Sequence, residues 1–178
     1  MPIFVRSSVE RGPPNISNEK GKTMDKTQLL KDVDNAFARY IAELRKSVQT
    51  SQEMTRDAPG RIESRYDTSR EETGWLATGQ AALLGEWEHS YAAFKSIGTG
   101  RKSFVQTGAF FKADSLTGPV QLKCLVCYGG SGLECETAEG TVTLISPTSP
   151  LAEAALGRGV NDMFTVNGCV DYVIREVA

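Results

Sequence analysis

The clearest pattern along the chain is a three-four alternation of apolar residues that starts soon after residue 24. This spacing is typical of a helix that packs through a narrow coiled-coil seam. The seam positions of this first run are Leu30, Val33, Phe37, Tyr40, Leu44, Ser47, Ser51 and Met54. Because bulky residues give way to serines, we expect the seam to be apolar at its start and polar towards its far end.

A proline–glycine pair at residues 59–60 breaks this pattern. The alternation then resumes at Ile62, Tyr66, Ser69, Thr73, Leu76, Gln80, Leu83, Trp87, Ser90, Phe94 and Ile97. Two arms joined by a short turn, with the weaker seam next to the turn, predict an antiparallel hairpin. Arms of about 32 to 36 residues would project about 50 Å. The alternative, half of a four-helix bundle, would need a second apolar face and two more helices, so a free-standing hairpin is favoured.

The rest of the chain has short strand-like runs at 104–106, 121–128, 140–145, 163–166 and 170–177, with one short helix at 150–156. Asn167-Gly168, set between two alternating runs, is a strong signal for a β-hairpin turn. The sequence therefore predicts an α+β chain in three parts. They are a disordered tail (1–23), an antiparallel coiled-coil hairpin (24–98) and a mostly antiparallel β domain (99–178).

Composition narrows the functional classes. The formal net charge is -2, without the basic excess that free nucleic-acid binding usually needs. No apolar run approaches the roughly 20 residues that cross a bilayer. The apolar opening at the N-terminus is too short for a secretory signal. A cytoplasmic protein is therefore expected.

Two motifs invite a chemical interpretation. Cys124 and Cys127 form a C-x-x-C pair, which suggests zinc or redox chemistry. Their surroundings are strand-like, however, and residues three apart on a strand face opposite sides. The single histidine, His89, lies far upstream, so structural thiols are favoured. The glycine-rich stretch 129–132 lacks the lysine and following helix of a phosphate loop and is interpreted as a turn.

Two segments resemble the Gre family of bacterial transcription elongation factors. Residues 66–79 are similar to the family's Tyr-x-x-x-Arg-Glu stretch, which leads into a glycine-containing helix. Residues 145–152 read Ile-Ser-Pro-Thr-Ser-Pro-Leu-Ala and are followed at 156–162 by Leu-Gly-Arg-Gly-Val-Asn-Asp. These are similar to the family's Ile-Ser-Pro-x-Ser-Pro-hydrophobic-Ala and Leu-x-Gly-(Lys/Arg)-x-Val-Gly-Asp motifs. The resemblance covers residues 25–178.

The resemblance implies an FKBP-like C-terminal domain that docks on RNA polymerase near the mouth of its secondary channel. The coiled coil would reach through that channel, so the chain would meet nucleic acid only within the transcription complex, as a monomer. The residues that the resemblance places in the docking domain are Ser146, Pro147, Ser149, Pro150 and Leu151.

In the family's cleavage factors, acidic residues at the hairpin tip help to hold Mg²⁺ so that the polymerase hydrolyses its own backtracked RNA. Here Pro59 and Ile62 stand at the matching positions. Asp57 and Glu63 lie close by and are the candidate catalytic and metal-binding residues. The Mg²⁺ would be shared with the polymerase active site, with no cofactor bound stably to this chain. The alternative is that both carboxylates are solvated charges paired with neighbouring arginines.

Three functions are consistent with the sequence. The chain could modulate elongation and stimulate RNA cleavage by the polymerase, without an activity of its own. It could bind the channel without cleavage and regulate the enzyme. An FKBP-like domain also suggests a peptidyl-prolyl isomerase or chaperone, but few aromatic residues are grouped in the β domain, which argues against a proline-binding pocket.

Overall fold

The computed structural model describes residues 25–57, 69–138 and 140–178. Within these ranges the elements are α1 (Lys26–Asp57), α2 (Ser69–Lys95), β1 (Phe110–Ser115), β2 (Gln121–Val126), β3 (Glu134–Thr137), β4 (Gly140–Ile145), α3 (Pro150–Ala155), β5 (Met163–Val166) and β6 (Val170–Val177). The predicted α+β class, with a helical hairpin first and a β domain second, is confirmed. The predicted tail 1–23, the 59–60 break and the first seam positions after it, Ile62 and Tyr66, lie outside the described residues.

Helices α1 and α2 run antiparallel along each other. Arg45 contacts Glu88 at 2.7 Å, and further along, Ser51 Oγ donates to Gln80 Oε1 at 2.6 Å. As the residue number on α1 increases, the residue number of its partner on α2 decreases, which is the order expected for antiparallel helices. The second pair is a polar contact inside the seam, as the serine-containing pattern predicted.

The seam differs from its predicted register in the distal half of the hairpin. Met54, Leu76 and Leu83 were expected to face inwards, but they are 58%, 52% and 39% exposed. Val48 and Ala77 are buried instead. An α-helix has 3.6 residues per turn and drifts against a strict seven-residue repeat, so the inward face moves by one residue along each arm. The seam prediction was wrong at these three positions.

The β domain is built on one six-stranded sheet with the order β3-β4-β2-β1-β6-β5. Among the described strands, only β2 and β4 pair in parallel, and the other pairs are antiparallel. The predicted strands 140–145, 163–166 and 170–177 match the structure. The predicted strand at 104–106 is wrong, because Phe104 makes only an isolated bridge to Gly159. Strands β1 and β3 were not predicted.

The sheet separates two cores. Phe110 faces the hairpin, whereas Phe111, the next residue, faces α3. The first core combines helix and sheet residues: Leu29, Val33, Ala36, Phe37, Phe94, Phe110, Leu125, Cys127, Cys135, Val142, Leu144 and Ala178. The base of the hairpin is thus packed on the sheet, and among the described residues neither core includes a residue of α1 beyond Phe37.

Two glycines form the surface on which the hairpin rests, and we call Gly129 and Gly130 the glycine seat. A Cβ atom on Gly130 would lie 2.3 Å from Cζ of Phe37, and one on Gly129 would lie 2.6 Å from Cβ of Ser90. Both glycines have a positive φ, 106° at Gly129 and 64° at Gly130. Any larger residue would therefore clash with a helix and strain the backbone as well.

A buried lysine ties the start of α1 to the same region. Lys26 is 3% exposed, and its Nζ donates to the main-chain oxygens of Gly100 at 2.8 Å and Ala178 at 3.2 Å. Burial, with a smaller contribution from the charge of Lys102, lowers the pKa of Lys26 from 10.5 to about 8. This side chain joins the first helix to the segment after the hairpin and to the end of β6.

The glycine seat makes a stability prediction. Gly130→Ala should lower the free energy of unfolding by about 1 to 3 kcal/mol more than Gly132→Ala, measured by urea denaturation. Gly132 is a matched control because its φ is also positive, 88°, but an added Cβ would meet nothing within 4 Å. Equal losses in the two variants would show that the Phe37 contact does not restrict the position.

The lowered pKa of Lys26 predicts that the free energy of unfolding depends on pH. Its pKa is about 8 when folded and 10.5 when unfolded, so the unfolded chain binds more protons between these values. Stability should therefore rise with pH across this window. In urea denaturation from pH 7 to 10, the free energy of unfolding of the unmodified chain should increase relative to Lys26→Met. A difference that does not change with pH would contradict the buried-amine account.

Candidate functional site

The distal half of the hairpin is the candidate site because it extends beyond the β domain. Phe37 is the last residue of α1 in the core shared with the sheet, and α1 continues to Asp57. Twenty further residues at about 1.5 Å each carry the arm about 30 Å past this core. Along this stretch the two helices are held by each other.

The two candidate metal-binding residues belong to the far end of this arm. Asp57 is the last residue of α1, but its side chain and all of Glu63 lie outside the described residues. One turn earlier, Glu53 is exposed and accepts a hydrogen bond from Gln49 Nε2 at 3.0 Å. Within the described ranges, no group of three or more His, Cys, Asp or Glu residues could hold a metal ion. The carboxylate oxygens of Asp57 and Glu63 are nevertheless of the type that Mg²⁺ prefers.

The predicted docking segment begins helix α3. Ser149 is the N-cap, and its Oγ accepts a hydrogen bond from the main-chain N–H of Ala152 at 3.2 Å. Pro150 occupies the first helical position, where its missing N–H has no partner to lose. The Ser-Pro pair that carries the family resemblance is therefore also a helix start.

The other residues of the segment are partly structural. Pro147 is buried, and Leu151 packs on the second core. Ser146 and Thr148 hold the turn through a 2.8 Å contact between their hydroxyl oxygens. Pro150 is exposed and is the member of the predicted docking set most open to a partner.

The second half of the motif forms a tight loop before β5. Arg158 donates from Nε to the main-chain oxygen of Ala154 at 2.8 Å and from its terminal nitrogen to that of Met163. The carboxylate of Asp162 accepts from the N–H of Gly159 at 2.7 Å. The side chains of Arg158 and Asp162 thus stabilise the backbone of this loop. This structural role is sufficient to explain why the motif contains them.

The two thiols of the cysteine pair lie in different cores. Cys124 belongs to the core under α3 and Cys127 to the core under the hairpin, so the two thiols lie on opposite faces of the sheet. Burial raises the pKa of each thiol to about 12. A thiol that stays protonated is a poor metal ligand and nucleophile. The interpretation as structural thiols is supported.

The sequence pattern does not single out Lys26 or the importance of the glycine seat. Lys26 stands at a helix start, where a lysine is ordinarily exposed. The stretch 129–132 was predicted as a turn, and the structure has a bend at Gly129 and a turn at residues 131–132, but the contact of Gly130 with Phe37 joins residues far apart in sequence. The available signal was the unusual density of glycine directly after a buried strand.

Comparisons with known proteins add little to this geometry. No family model and no curated protein matches the chain. None of the described helices has the length and hydropathy of a membrane span.

Among solved structures, the chain is similar to GreA factor homolog 1 of Thermus thermophilus, with 13% identity and a TM-score of 0.35 over 82% of this chain and 94% of that one. A structure of the transcription factor Gfh1 gives 17% identity and a TM-score of 0.35, covering 87% and 94%. Gfh1 of Thermus aquaticus gives 13% and 0.33, covering 83% and 94%. Scores this low carry no argument about fold or function.

The N-cap of α3 gives a direct test of the structural role of the motif. Ser149→Ala should lower the free energy of unfolding by about 1 kcal/mol, because the N–H of Ala152 loses its partner. Ser149→Asp keeps a capping oxygen and should retain most of the stability. Urea denaturation of the two variants checks this. If Ser149→Ala were as stable as the unmodified chain, the cap would not contribute to folding.

Proposed function

We propose that this protein is a transcription factor of the Gre type, which binds RNA polymerase and places its helical hairpin in the secondary channel. The observation that carries the proposal is the arm itself, which extends about 30 Å past a base packed on a separate β domain. Such a shape can bind a partner at one end and act at a distance at the other. The motifs at 145–152 and 156–162 support the assignment to this class.

The β domain is the proposed docking part, with the exposed Pro150 at the start of α3 in its contact surface. A rigid base matters for this function. If the hairpin could swing freely, docking would not determine where its tip lies, and the entropy lost on insertion would weaken binding. Phe37 in the glycine seat and buried Lys26 both restrict that motion.

At the tip, Asp57 and Glu63 are the proposed acidic residues. Two carboxylates brought next to the polymerase active site would add oxygen ligands for Mg²⁺, which can activate water for phosphodiester hydrolysis. The polymerase would supply the remaining ligands and perform the reaction on backtracked RNA. This chain would act as a positioned donor of negative charge, in the bacterial cytoplasm and without a stably bound cofactor.

A second candidate is a channel-binding regulator that does not support cleavage. It is favoured by the residues at the positions where the family's cleavage factors have acidic groups, Pro59 and Ile62, since neither can coordinate a metal. The two candidates share docking and insertion and differ only in the chemistry at the tip.

An RNA-cleavage assay on stalled elongation complexes distinguishes them. If the tip acts in cleavage, the unmodified chain should shorten the RNA in the presence of Mg²⁺. Asp57→Ala combined with Glu63→Ala should then reduce the rate by at least about tenfold, because the added metal ligands are lost. The matched control is Glu43→Ala combined with Glu86→Ala, which removes the same charge from exposed positions nearer the base.

The remaining outcomes are equally informative when binding to core polymerase is measured in parallel. Binding and altered elongation without cleavage would establish the regulator. Cleavage that persists in the Asp57 and Glu63 double variant would show that these carboxylates are only solvated charges. A chain that does not co-purify with core polymerase would overturn both candidates.

A further inference from the structure

The distal arm leaves large apolar side chains uncovered on one side. Leu76 and Leu83 are seven residues apart on α2, and Tyr40 and Met54 are fourteen apart on α1, so each pair falls on one line of a coiled coil. Trp87, one turn after Leu83, packs its ring against that of Tyr40, with centroids 4.2 Å apart and an angle of 50° between the ring planes. This contact places the two lines on the same side of the hairpin. We call these five residues the lateral face.

The β domain already covers one end of this face. Ser90 continues the line of Leu76 and Leu83 by another seven residues, and it is packed against Gly129 of the seat. Beyond that contact Leu83, Leu76 and Met54 are exposed. The lateral face is therefore an established interface at its base that continues uncovered along the arm. Exposed apolar rows of this kind mark interaction surfaces.

Charged residues on α1 beside the apolar row are spaced so that they complement the same residues of a second copy of the chain. Glu43, Lys46, Ser47, Thr50 and Ser51 line one depression on α1, next to the lateral face. Glu53 follows Lys46 by seven residues on the same line. The two are about 10 Å apart along the helix, too far to pair with each other. In an antiparallel pair of α1 helices related by a two-fold axis between residues 49 and 50, each Lys46 faces Glu53 of the second copy.

The same axis also pairs the apolar residues of the two copies. If it passes between residues 79 and 80 of α2, Leu76 lies against Leu83 of the second copy. The two midpoints lie within about 3 Å of the same height along the hairpin, because Ser51 is hydrogen-bonded to Gln80. At this height Gly79 is exposed, and a Cβ there would meet nothing within 4 Å, so the two α2 helices can approach closely.

We propose that the lateral face is a self-complementary dimer interface, with two copies packed antiparallel through Leu76, Leu83 and reciprocal Lys46–Glu53 pairs. A two-fold interface needs a patch that complements itself, and both the apolar and the charged pairs meet this condition with one axis. In this dimer each arm lies along the other and its tip points towards the other copy's β domain.

The size of the contact determines its strength. The overlap spans about 20 Å of arm and about 20 Å across two helices, so it buries about 400 Å² per copy. This is about half of a standard interface, and we expect a reversible dimer with a dissociation constant on the order of 100 μM. Because the arm is covered in the dimer, pairing and insertion into a channel exclude each other. The dimer itself does not depend on the proposed polymerase binding.

The test is sedimentation velocity of the full chain from about 10 μM to 1 mM. The unmodified chain should change from monomer to dimer over this range. Leu76→Glu combined with Leu83→Glu should stay monomeric throughout. Trp75→Glu is the control, because Trp75 is 73% exposed and lies about 100° around α2 from Leu76; this variant should dimerise like the unmodified chain.

A charge exchange tests the two-fold arrangement without removing apolar contacts. Lys46→Glu should weaken the dimer about threefold to tenfold, since it places like charges opposite each other. Lys46→Glu combined with Glu53→Lys should restore it. These two variants still test the dimer interface if circular dichroism shows that the leucine variant has lost helicity. A chain that remains monomeric at 1 mM overturns the proposal. So does a dimer lost in Trp75→Glu, or a charge exchange without recovery.

Discussion

The contact between Phe37 and the backbone of Gly130 fixes where the helical hairpin meets the sheet. Phe37 is fully buried, and its ring lies among those of Trp87, Tyr91 and Phe94, with centroids 5.2 to 5.9 Å away. The ring can sit this low only because the chain beneath it has no Cβ. Burial of the aromatic rings stabilises this contact, and the absence of a side chain at residue 130 determines how closely α1 approaches the sheet.

Beyond this base, the hairpin extends away from the β domain and its seam buries fewer apolar side chains. The seam passes from aromatic rings to the Ser51–Gln80 hydrogen bond, and a polar contact of this kind adds little net stability. The distal arm is therefore the part of the described chain where local opening should cost least. Its outer side carries Leu76 and Leu83, which the drift of the seam leaves exposed. The same drift that weakens the seam creates the surface proposed for pairing.

The elements that the sequence predicts well are those with a periodic pattern. Strands β4, β5 and β6 are rich in β-branched and aromatic residues, with the Asn167-Gly168 turn between the last two, and the hairpin has a sustained seven-residue repeat. Strand β1 was missed because it is central and opens with two phenylalanines, one for each core, so it does not alternate. Strand β3 is four residues long and polar at its surface positions, and short edge strands leave little signal.

The candidate site was less predictable, for a different physical reason. The seat for Phe37 joins positions 37 and 130, and the buried amine of Lys26 meets oxygens of residues 100 and 178. Contacts between such distant positions leave no local pattern in a single sequence. The register shift has the same origin, since it depends on how two helices drift past each other.

A distance measurement tests most directly whether the arm is held at a fixed angle. Cys169 is exposed, and the three other thiols are buried with raised pKa values, so a spin label should react with Cys169 alone. A second label at Gln52→Cys, on the exposed surface of α1, reports the position of the distal arm. Double electron–electron resonance at low micromolar protein concentration should give one narrow distance distribution. A broad or two-peaked distribution would show that the hairpin moves on the sheet, contrary to this account.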